Sequence, residues 1–218
     1  MGRSEVAIII PVYNESKTIL DVIHNVKQYG DVFVIDDCST DNTQSIVEAT
    51  NATIISHQTN LGYEAAISSG MKHAVENNYK YIVTTDGDGE LTHFEIKNFI
   101  HILQQGTMLV VGKRSKKNRL IESLFGLLTT LSFRINDPLC GMKGYKSEIY
   151  KKYKCFDSKK MIGTQILAYC LRDKIKIKEI TVEVKKREGM SHYGGGFSSF
   201  IRILRVIFIF FSIALRRE

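Results

Sequence analysis

The chain has 218 residues, of which 44% are hydrophobic and only two are proline, so the composition favours one compact globular body over a disordered chain. Its net charge of +7 is gathered in basic clusters, which suit phosphate-bearing ligands or an anionic membrane surface. The sequence contains no helix-turn-helix, zinc-finger or aromatic RNA-binding signature, and we therefore expect no nucleic-acid partner.

The first half of the chain alternates short apolar runs with amphipathic segments. Strands are predicted at Val6–Ile10, Val32–Ile35, Thr53–Ser56 and Tyr81–Val83. Helices are predicted between them, at Ser16–Tyr29, Thr43–Ala49 and Glu64–Glu76. This alternation is typical of an α/β fold with a mostly parallel sheet flanked by helices.

The second half is less regular. Strands are predicted at Met108–Gly112 and Ile175–Val184, and helices at Leu120–Phe133 and Ile162–Leu171. The alternating lysines of the last strand indicate one exposed face.

The C-terminal segment Phe200–Leu215 is rich in Ile, Phe and Leu and carries Arg202 and Arg205. Its uninterrupted apolar part, Val206–Leu215, is about half the ~20 residues that a membrane-spanning helix needs. An apolar face flanked by arginines is typical of a helix lying in the membrane interface. A helix that packs in the core or in a homodimer is the alternative, and the sequence leaves both open.

The start of the chain and the spacing of its cysteines indicate the cellular compartment of the protein. The strand-like run Val6–Ile10 follows Met1 almost at once, so no signal peptide is expected. The four cysteines show no CxxC spacing, which favours reduced, intracellular thiols. We expect a cytoplasmic protein.

An acidic, glycine-rich loop, Thr84–Glu90, follows the fourth predicted strand. An extended backbone points Asp86 and Asp88 to the same side. Two carboxylates so placed suit Mg²⁺ or Mn²⁺, although a solvated acidic turn has the same composition. Other polar residues, Asn14-Glu15 and Asp36-Asp37, also follow predicted strands. Since ligands of parallel sheets bind at the carboxyl ends of the strands, this shared placement favours a binding site.

Four motifs occur in order: Pro11-Val12-Tyr13-Asn14-Glu15, Asp36-Asp37-Cys38-Ser39-Thr40-Asp41, Asn60-Leu61-Gly62 and Asp86-Gly87-Asp88-Gly89-Glu90. Gly112-Lys113-Arg114 and Arg187-x-x-x-Ser191 follow them. Over residues 5–193 the chain resembles glycosyltransferase family 2, in particular the dolichyl-phosphate mannosyltransferase group and its bacterial polyprenyl-phosphate relatives. The resemblance implies a GT-A catalytic domain, which we place at 1–196. The remaining residues, 197–218, are expected to form a C-terminal amphipathic helix, for which the membrane interface and packing on protein both stay open.

The resemblance also implies a nucleotide-sugar donor, linked to either GDP or UDP, and a divalent cation. It assigns the base and ribose to Pro11, Tyr13, Glu15, Ile35 and Asp37, with Asp36 as an anchor of the loop. The sugar diphosphate and the metal are assigned to the acidic loop, with Asp86, Asp88 and Glu90 as metal ligands and Gly87 in close contact. Glu90 departs from the family, in which a glutamine is common.

Cationic side chains would assist the leaving diphosphate. Arg114 and Arg187 match the family's basic positions, and Arg119 and Ser191 are weaker candidates for binding an acceptor phosphate. His192 stands where related enzymes usually have lysine.

The acceptor is either a polyprenyl phosphate or a glycan hydroxyl. A lipid phosphate is already anionic and requires no strong base, whereas a hydroxyl requires a carboxylate within hydrogen-bond reach. The candidate base is Asp137, although an Asp-Pro turn explains it equally well. The chain also lacks the large acceptor domain of many polysaccharide-making relatives. We therefore expect an inverting hexosyltransferase acting on polyprenyl phosphate at the cytoplasmic face of a membrane.

Three other interpretations have less support. A sugar nucleotidyltransferase would carry a glycine-rich basic loop after the first strand, and Pro11–Glu15 is not one. A non-catalytic scaffold would not require Asp86 and Asp88. A histidine metal site or a Cys140 nucleophile would need partners that the spacing does not provide, so His57 and His93 are expected to be surface or helix residues and Cys140 a packed thiol.

Overall fold

The structure of the chain, a computed structural model, describes residues 4–116, 120–185 and 197–216. The strands are β1 (Val6–Val12), β2 (Asp31–Asp36), β3 (Thr53–Ser56), β4 (Tyr81–Thr84), β5 (Leu109–Arg114), β6 (Lys143–Lys146) and β7 (Ile177–Val182). The helices are α1 (Ile19–Val26), α2 (Thr43–Glu48), α3 (Tyr63–Glu76), α4 (Ile96–Gln104), α5 (Leu120–Phe133), α6 (Ser147–Tyr153), α7 (Gln165–Arg172) and α8 (Phe197–Ala214).

The strands form one seven-stranded sheet in the order β3-β2-β1-β4-β6-β5-β7. Strand β6 runs antiparallel to both of its neighbours, and every other neighbouring pair is parallel. The predicted α/β fold with a mostly parallel sheet is confirmed. Because β6 reverses direction, β5 again points the same way as β4, and its carboxyl end reaches the same edge of the sheet.

Strand β1 shows why an unbroken apolar run occupies the centre of this sheet. All seven of its residues are buried. Its side chains alternate between two hydrophobic cores. Ala7 and Ile9 face the core that contains α3, α5, α7 and α8, whereas Ile8 and Ile10 face the core that contains α1 and α4.

Three elements, α4, β6 and α6, had no counterpart among the predicted ones. Strand β6 has only four residues and begins and ends with lysine, so it shows no alternation of polar and apolar positions. Its Gly144 allows α4 to pack closely on the strand, because a Cβ at this position would lie only 3.1 Å from Leu103 and 3.2 Å from Phe99 of α4. The position of β6 is therefore determined by tertiary packing and not by a local sequence pattern.

Helix α8 joins the body of the protein through one face. Val206 and Phe210 are buried against the rest of the core, whereas Phe208 is 78% exposed. Arg202 donates a hydrogen bond of 2.6 Å to Glu64 on α3. The segment thus both packs on protein and presents an apolar surface. Within the described residues, no helix is long and apolar enough to cross a bilayer.

Candidate active site

The polar loops after β1, β2 and β4 meet at the carboxyl edge of the sheet. Asn14 has φ of 57°, and its side-chain oxygen accepts a hydrogen bond of 2.7 Å from the backbone N–H of Thr40. The next N–H, that of Glu15, donates to Thr43 at 2.8 Å. These bonds join the loops after β1 and β2 into one rigid unit.

Asp37 holds the loop that follows β3. Its two carboxylate oxygens accept hydrogen bonds from the N–H groups of Leu61 at 2.9 Å and Gly62 at 2.7 Å. The Nδ1 atom of His57 lies 2.7 Å from the same carboxylate, and its Nε2 atom lies 2.9 Å from the hydroxyl of Ser69. Asp37 is 4% exposed. It therefore orders the Asn60-Leu61-Gly62 motif, a role that the sequence interpretation gave only to Asp36.

Asp36 makes a smaller contribution of the same kind, since its carboxylate accepts a bond of 3.2 Å from the N–H of Ser39. The neighbouring Ile35 is fully buried, and a Cβ on Gly70 of α3 would lie 3.1 Å from its side chain. The Ile35 side chain thus fills the core between sheet and helix, and a role of this residue in the nucleoside pocket stays a prediction.

The remaining residues assigned to the nucleoside lie at the end of β1. Pro11 is buried in the strand, and Tyr13 and Glu15 are half-buried in the loop. A Cβ on Gly87 would lie 3.2 Å from the carbonyl oxygen of Pro11 and 2.7 Å from Val12. The absence of a side chain at Gly87 thus allows the acidic loop to lie directly against the end of β1.

The acidic loop is also fixed from within. The hydroxyl of Thr18 donates a hydrogen bond of 2.8 Å to the carbonyl of Gly87. One carboxylate oxygen of Asp88 accepts a bond of 3.0 Å from the N–H of Glu90, across Gly89, which has φ of 71°. This bond turns the chain immediately after the two aspartates.

Asp86 lies against the backbone of Gly141, where an added Cβ would overlap its carboxylate. Burial and the charge of Asp88 raise the pKa of Asp86 to about 7, while the positive charges of Lys143 and Arg114 act in the opposite direction. The site therefore concentrates negative charge on hard oxygen donors. That chemistry suits a divalent cation.

Glu90 contributes to the loop through its backbone. Its carbonyl oxygen accepts a hydrogen bond of 2.7 Å from the N–H of Lys185. Among the described residues, no three or more His, Cys, Asp or Glu side chains gather as a metal site. Asp86, Asp88 and Glu90 as metal ligands all stay predictions, which the oxygen chemistry and close placement of the two aspartates support.

Arg114 and Asp137 form an ion pair. The Nε and Nη2 atoms of Arg114 donate to the two oxygens of Asp137 at 2.8 and 3.0 Å, and Nη2 lies 3.1 Å from Glu122 of α5. Asp137 is 1% exposed. This geometry argues against a general-base role for Asp137, because both oxygens already accept charged hydrogen bonds. The guanidinium of Arg114 already neutralises and positions these two carboxylates. This pairing suits a structural role in the site better than direct binding of a phosphate.

Other predicted residues lie elsewhere. Arg119, Arg187, Ser191 and His192 fall outside the described ranges, so their roles stay predictions. Cys140 is fully buried, and burial raises the pKa of its thiol to about 12, as a packed thiol requires.

Sequence reasoning missed two residues of the site. Lys143 is buried, and its ammonium group donates a hydrogen bond of 2.6 Å to the carbonyl of Cys140, close enough to Asp86 to affect its pKa. His57 was expected to be a surface or helix residue, but it bridges Asp37 and Ser69. Its position directly after a strand, like that of the aspartates, was the available signal.

The profile of glycosyl transferase family 2 matches residues 7–154. The chain belongs to this family. It is therefore a glycosyltransferase, as its motifs predicted.

Three relatives show the range of the similarity. An uncharacterized protein of Methanocaldococcus jannaschii is 34% identical over 171 residues, covering 68% of this chain and 75% of the relative. The UDP-N-acetylglucosamine–dolichyl-phosphate N-acetylglucosaminyltransferase of Methanococcus voltae is 28% identical over 144 residues, covering 57% of each chain. A dolichyl-phosphate beta-glucosyltransferase of Trichomonas vaginalis is 27% identical over 225 residues, covering 84% of this chain and 67% of the relative.

Among solved structures, the fold resembles glucosyl-3-phosphoglycerate synthase of Mycobacterium tuberculosis, crystallised with Mn²⁺, UDP and glucosyl-3-phosphoglycerate. The TM-score is 0.74, with 17% identity over all of this chain and 82% of the other. At this identity the likeness concerns the fold. The sheet is that of a GT-A glycosyltransferase.

Proposed function

We propose that this glycosyltransferase moves a sugar from a UDP-linked donor to a polyprenyl phosphate, with inversion at the sugar carbon and dependence on Mn²⁺ or Mg²⁺. Two relatives that transfer different sugars, named above, both act on dolichyl phosphate. The solved neighbour supports UDP as the nucleotide and Mn²⁺ as the metal.

The pairing of Asp137 with Arg114 is the observation that favours a lipid-phosphate acceptor over a glycan hydroxyl. Attack by a hydroxyl requires a base, and the candidate base is 1% exposed and bound by a guanidinium. A phosphate oxygen is anionic and attacks without one. The cation held by Asp86 and Asp88 would act as a Lewis acid toward the leaving diphosphate.

The chain's own residues prepare this site. The ordered loops after β1, β2 and β3 present a preformed edge for the nucleoside. The acidic loop is fixed by Thr18 and by the Asp88–Glu90 hydrogen bond, so its carboxylates need no rearrangement to receive a cation. Such preorganisation is how electrostatic stabilisation lowers a barrier. Peripheral attachment to the cytoplasmic side of a membrane through 197–218 would bring the lipid acceptor to this edge.

The test is transfer of radiolabelled sugar from UDP-glucose and UDP-N-acetylglucosamine to polyprenyl phosphate, with polyprenol and a soluble oligosaccharide as competing acceptors. The proposal predicts an organic-soluble product that mild acid hydrolyses, formed with the phosphate and not with the alcohol. Transfer to the oligosaccharide alone would establish the hydroxyl alternative instead.

A further inference from the structure

The α6–α7 loop, residues 157–163, has an unusual backbone. Within four residues, Lys160, Ile162 and Gly163 have φ of 54, 52 and 69°. Glycine adopts this left-handed conformation readily, whereas lysine does so seldom and a β-branched isoleucine hardly ever. Such a conformation costs free energy, and it persists only where the surrounding contacts enforce it.

Two buried carboxylates enforce the conformation of this loop. Asp157 is 7% exposed and accepts hydrogen bonds from the N–H groups of Met161 at 2.8 Å and Gly163 at 2.7 Å. Glu64 on α3 is also 7% exposed and accepts a bond of 3.1 Å from the N–H of Ile162 between them. Three successive backbone donors are thus each held by a buried acid, and the loop is rigid.

The loop lies at the active-site edge of the sheet. Glu64 is the second residue of α3, which begins directly after the Leu61-Gly62 segment that Asp37 holds. A Cβ on Gly163 would lie 3.6 Å from the ring of Tyr63, the first residue of α3. Because a helix that follows a parallel strand starts at the carboxyl edge, the first turn of α3 and the loop packed on it both lie at that edge.

The loop carries two exposed lysines, Lys159 and Lys160. Within the described residues, no acidic side chain pairs with either ammonium group. The backbone N–H of Lys159 donates a hydrogen bond of 2.9 Å to the side chain of Gln165, so its position is fixed. By contrast, Arg114 is already bound to carboxylates and Lys143 to a backbone carbonyl. The two loop lysines therefore offer positive charge that the fold itself does not use.

Two anionic groups come to this edge in the proposed reaction, the diphosphate of the donor and the phosphate of the acceptor. The diphosphate is assigned to the cation at Asp86 and Asp88, whose loop is fixed by Thr18 on the α1 side of the sheet. The α6–α7 loop packs on α3, on the opposite side of the sheet. Its lysines are therefore better placed for the acceptor phosphate, to which cationic side chains donate strong, charge-assisted hydrogen bonds.

We propose that Lys159 and Lys160 bind the phosphate of the acceptor. Asp157 and Glu64 are then positioning residues, since they fix the backbone that carries both lysines. Arg202 of α8 donates a hydrogen bond of 2.6 Å to Glu64, so the C-terminal helix is connected to the loop through one buried carboxylate. The inference rests on the proposed function, because it names the residues that recognise its anionic acceptor.

Steady-state kinetics with farnesyl phosphate as a short-chain acceptor test the two lysines. We expect Lys159→Gln/Lys160→Gln to raise the KM for farnesyl phosphate about tenfold or more, with the donor KM and kcat close to the wild-type values. The variant with arginine at both positions keeps both charges and should restore the acceptor KM. The control Lys151→Gln/Lys154→Gln removes two exposed lysines beside the C-terminal end of α3, away from the loop, and should behave as wild type does.

Asp157→Ala tests the positioning role. With both lysines still present, it should also raise the acceptor KM, while calorimetric binding of UDP with Mn²⁺ stays as in the wild type. Asp157→Asn keeps one acceptor oxygen for the loop and should restore part of the affinity. A wild-type acceptor KM in Asp157→Ala would show that the loop needs no such support. If Asp157→Ala does not fold, the exposed lysine variants still decide the inference.

Three results would overturn the inference: an unchanged acceptor KM in Lys159→Gln/Lys160→Gln, an equal rise in the α6 control, or weaker binding of UDP and Mn²⁺ in place of the acceptor effect. The last result would place these lysines at the donor diphosphate. If the wild type uses farnesyl phosphate and the loop variant matches it, the inference fails alone and the proposed transfer reaction stands. If the wild type transfers sugar only to a hydroxyl acceptor, the proposed function fails and the inference fails with it.

Discussion

At the scale of single residues, the site depends on close contacts that leave no room for ordinary side chains. Asp86 is held between the acidic loop and the backbone of Gly141, and Gly87 touches the end of β1. Glycine at these two positions is required by contact distance, because a methyl group would have to displace a carboxylate or a strand. Substitutions there act on the position of Asp86 and Asp88 without changing any charge.

Gly141→Ala should displace the Asp86 carboxylate and lower kcat for sugar transfer about 100-fold, the loss typical of removing one stabilising group from a transition state. Activity should remain low at saturating donor. Gly144→Ala is the matched control on β6, since the atoms nearest to its Cβ would belong to the side chains of Leu103 and Phe99. The control should lower the melting temperature but retain kcat; wild-type kcat in Gly141→Ala would show that Asp86 tolerates the displacement.

His57 makes a second residue-scale prediction. Its imidazole joins Asp37 to Ser69, and Asp37 in turn orders Leu61 and Gly62. We expect His57→Ala to raise the KM for the donor about tenfold through loss of loop order, with a smaller change in kcat. His57→Asn, which keeps a donor near the position of Nδ1, should restore part of the affinity. If His57→Ala lowered kcat as strongly as it raised KM, and His57→Asn did the same, this positioning role would be contradicted.

At the scale of elements, much of the fold followed from apolar pattern. Strands β1, β2 and β4 were predictable because their residues are buried on both faces, and α5 because its apolar positions keep helical spacing. The helix at Gln165–Arg172 was predicted with a start three residues too early. Strand β6 was not predictable, since its Lys143 and Gly144 are buried through tertiary contacts that the local sequence does not record.

The residues of the site likewise divide into those that the sequence predicted and those that it did not. The aspartates of the acidic loop were identifiable from spacing and family motif. The pairing of Asp137 with Arg114, the burial of Ile35 and the bridge made by His57 depend on contacts between residues distant in sequence. Charge partners of this kind are set by the packing of α5 and β5, and no local pattern records them.

The attachment of α8 provides an element-scale prediction. Arg202 bonds to Glu64, which is 7% exposed and also accepts a hydrogen bond of 3.1 Å from the N–H of Ile162. Arg202→Met would leave this buried carboxylate without its cation, and we expect the free energy of unfolding to fall by about 1–3 kcal/mol. Denaturant titration measures the change, and Arg205→Met, at an exposed position, should have little effect. If both variants unfold alike, the ion pair does not anchor the helix.

At the scale of the whole molecule, a buried histidine makes stability depend on pH. Burial, assisted by the charge of Lys185, lowers the pKa of His93 to about 4. In the unfolded chain the same group titrates near its ordinary pKa of about 6.5, so between these values the unfolded state binds more protons. Stability should therefore be complete above about pH 6.5 and fall progressively toward pH 4, by up to about 3 kcal/mol from this group.

His93→Gln removes this titration, so the loss of stability between pH 6.5 and 4 should become shallower than in the wild type. Because the substitution also alters packing, the slope of unfolding free energy against pH is the measurement, and the absolute value is not. His101→Gln, at an exposed site on α4, is the control and should keep the wild-type slope. An unchanged slope in His93→Gln would show that other groups govern the acid transition.

The central claim is that Asp86 and Asp88 form a cation and diphosphate site. Calorimetric titration with UDP, in the presence and absence of Mn²⁺, tests it without reference to any acceptor. We predict that Mn²⁺ strengthens UDP binding about tenfold or more in the wild type and in the control Asp21→Asn, and that Asp88→Asn loses this metal-dependent gain while staying folded. UDP binding that is indifferent to Mn²⁺, or that survives unchanged in Asp88→Asn, would contradict it.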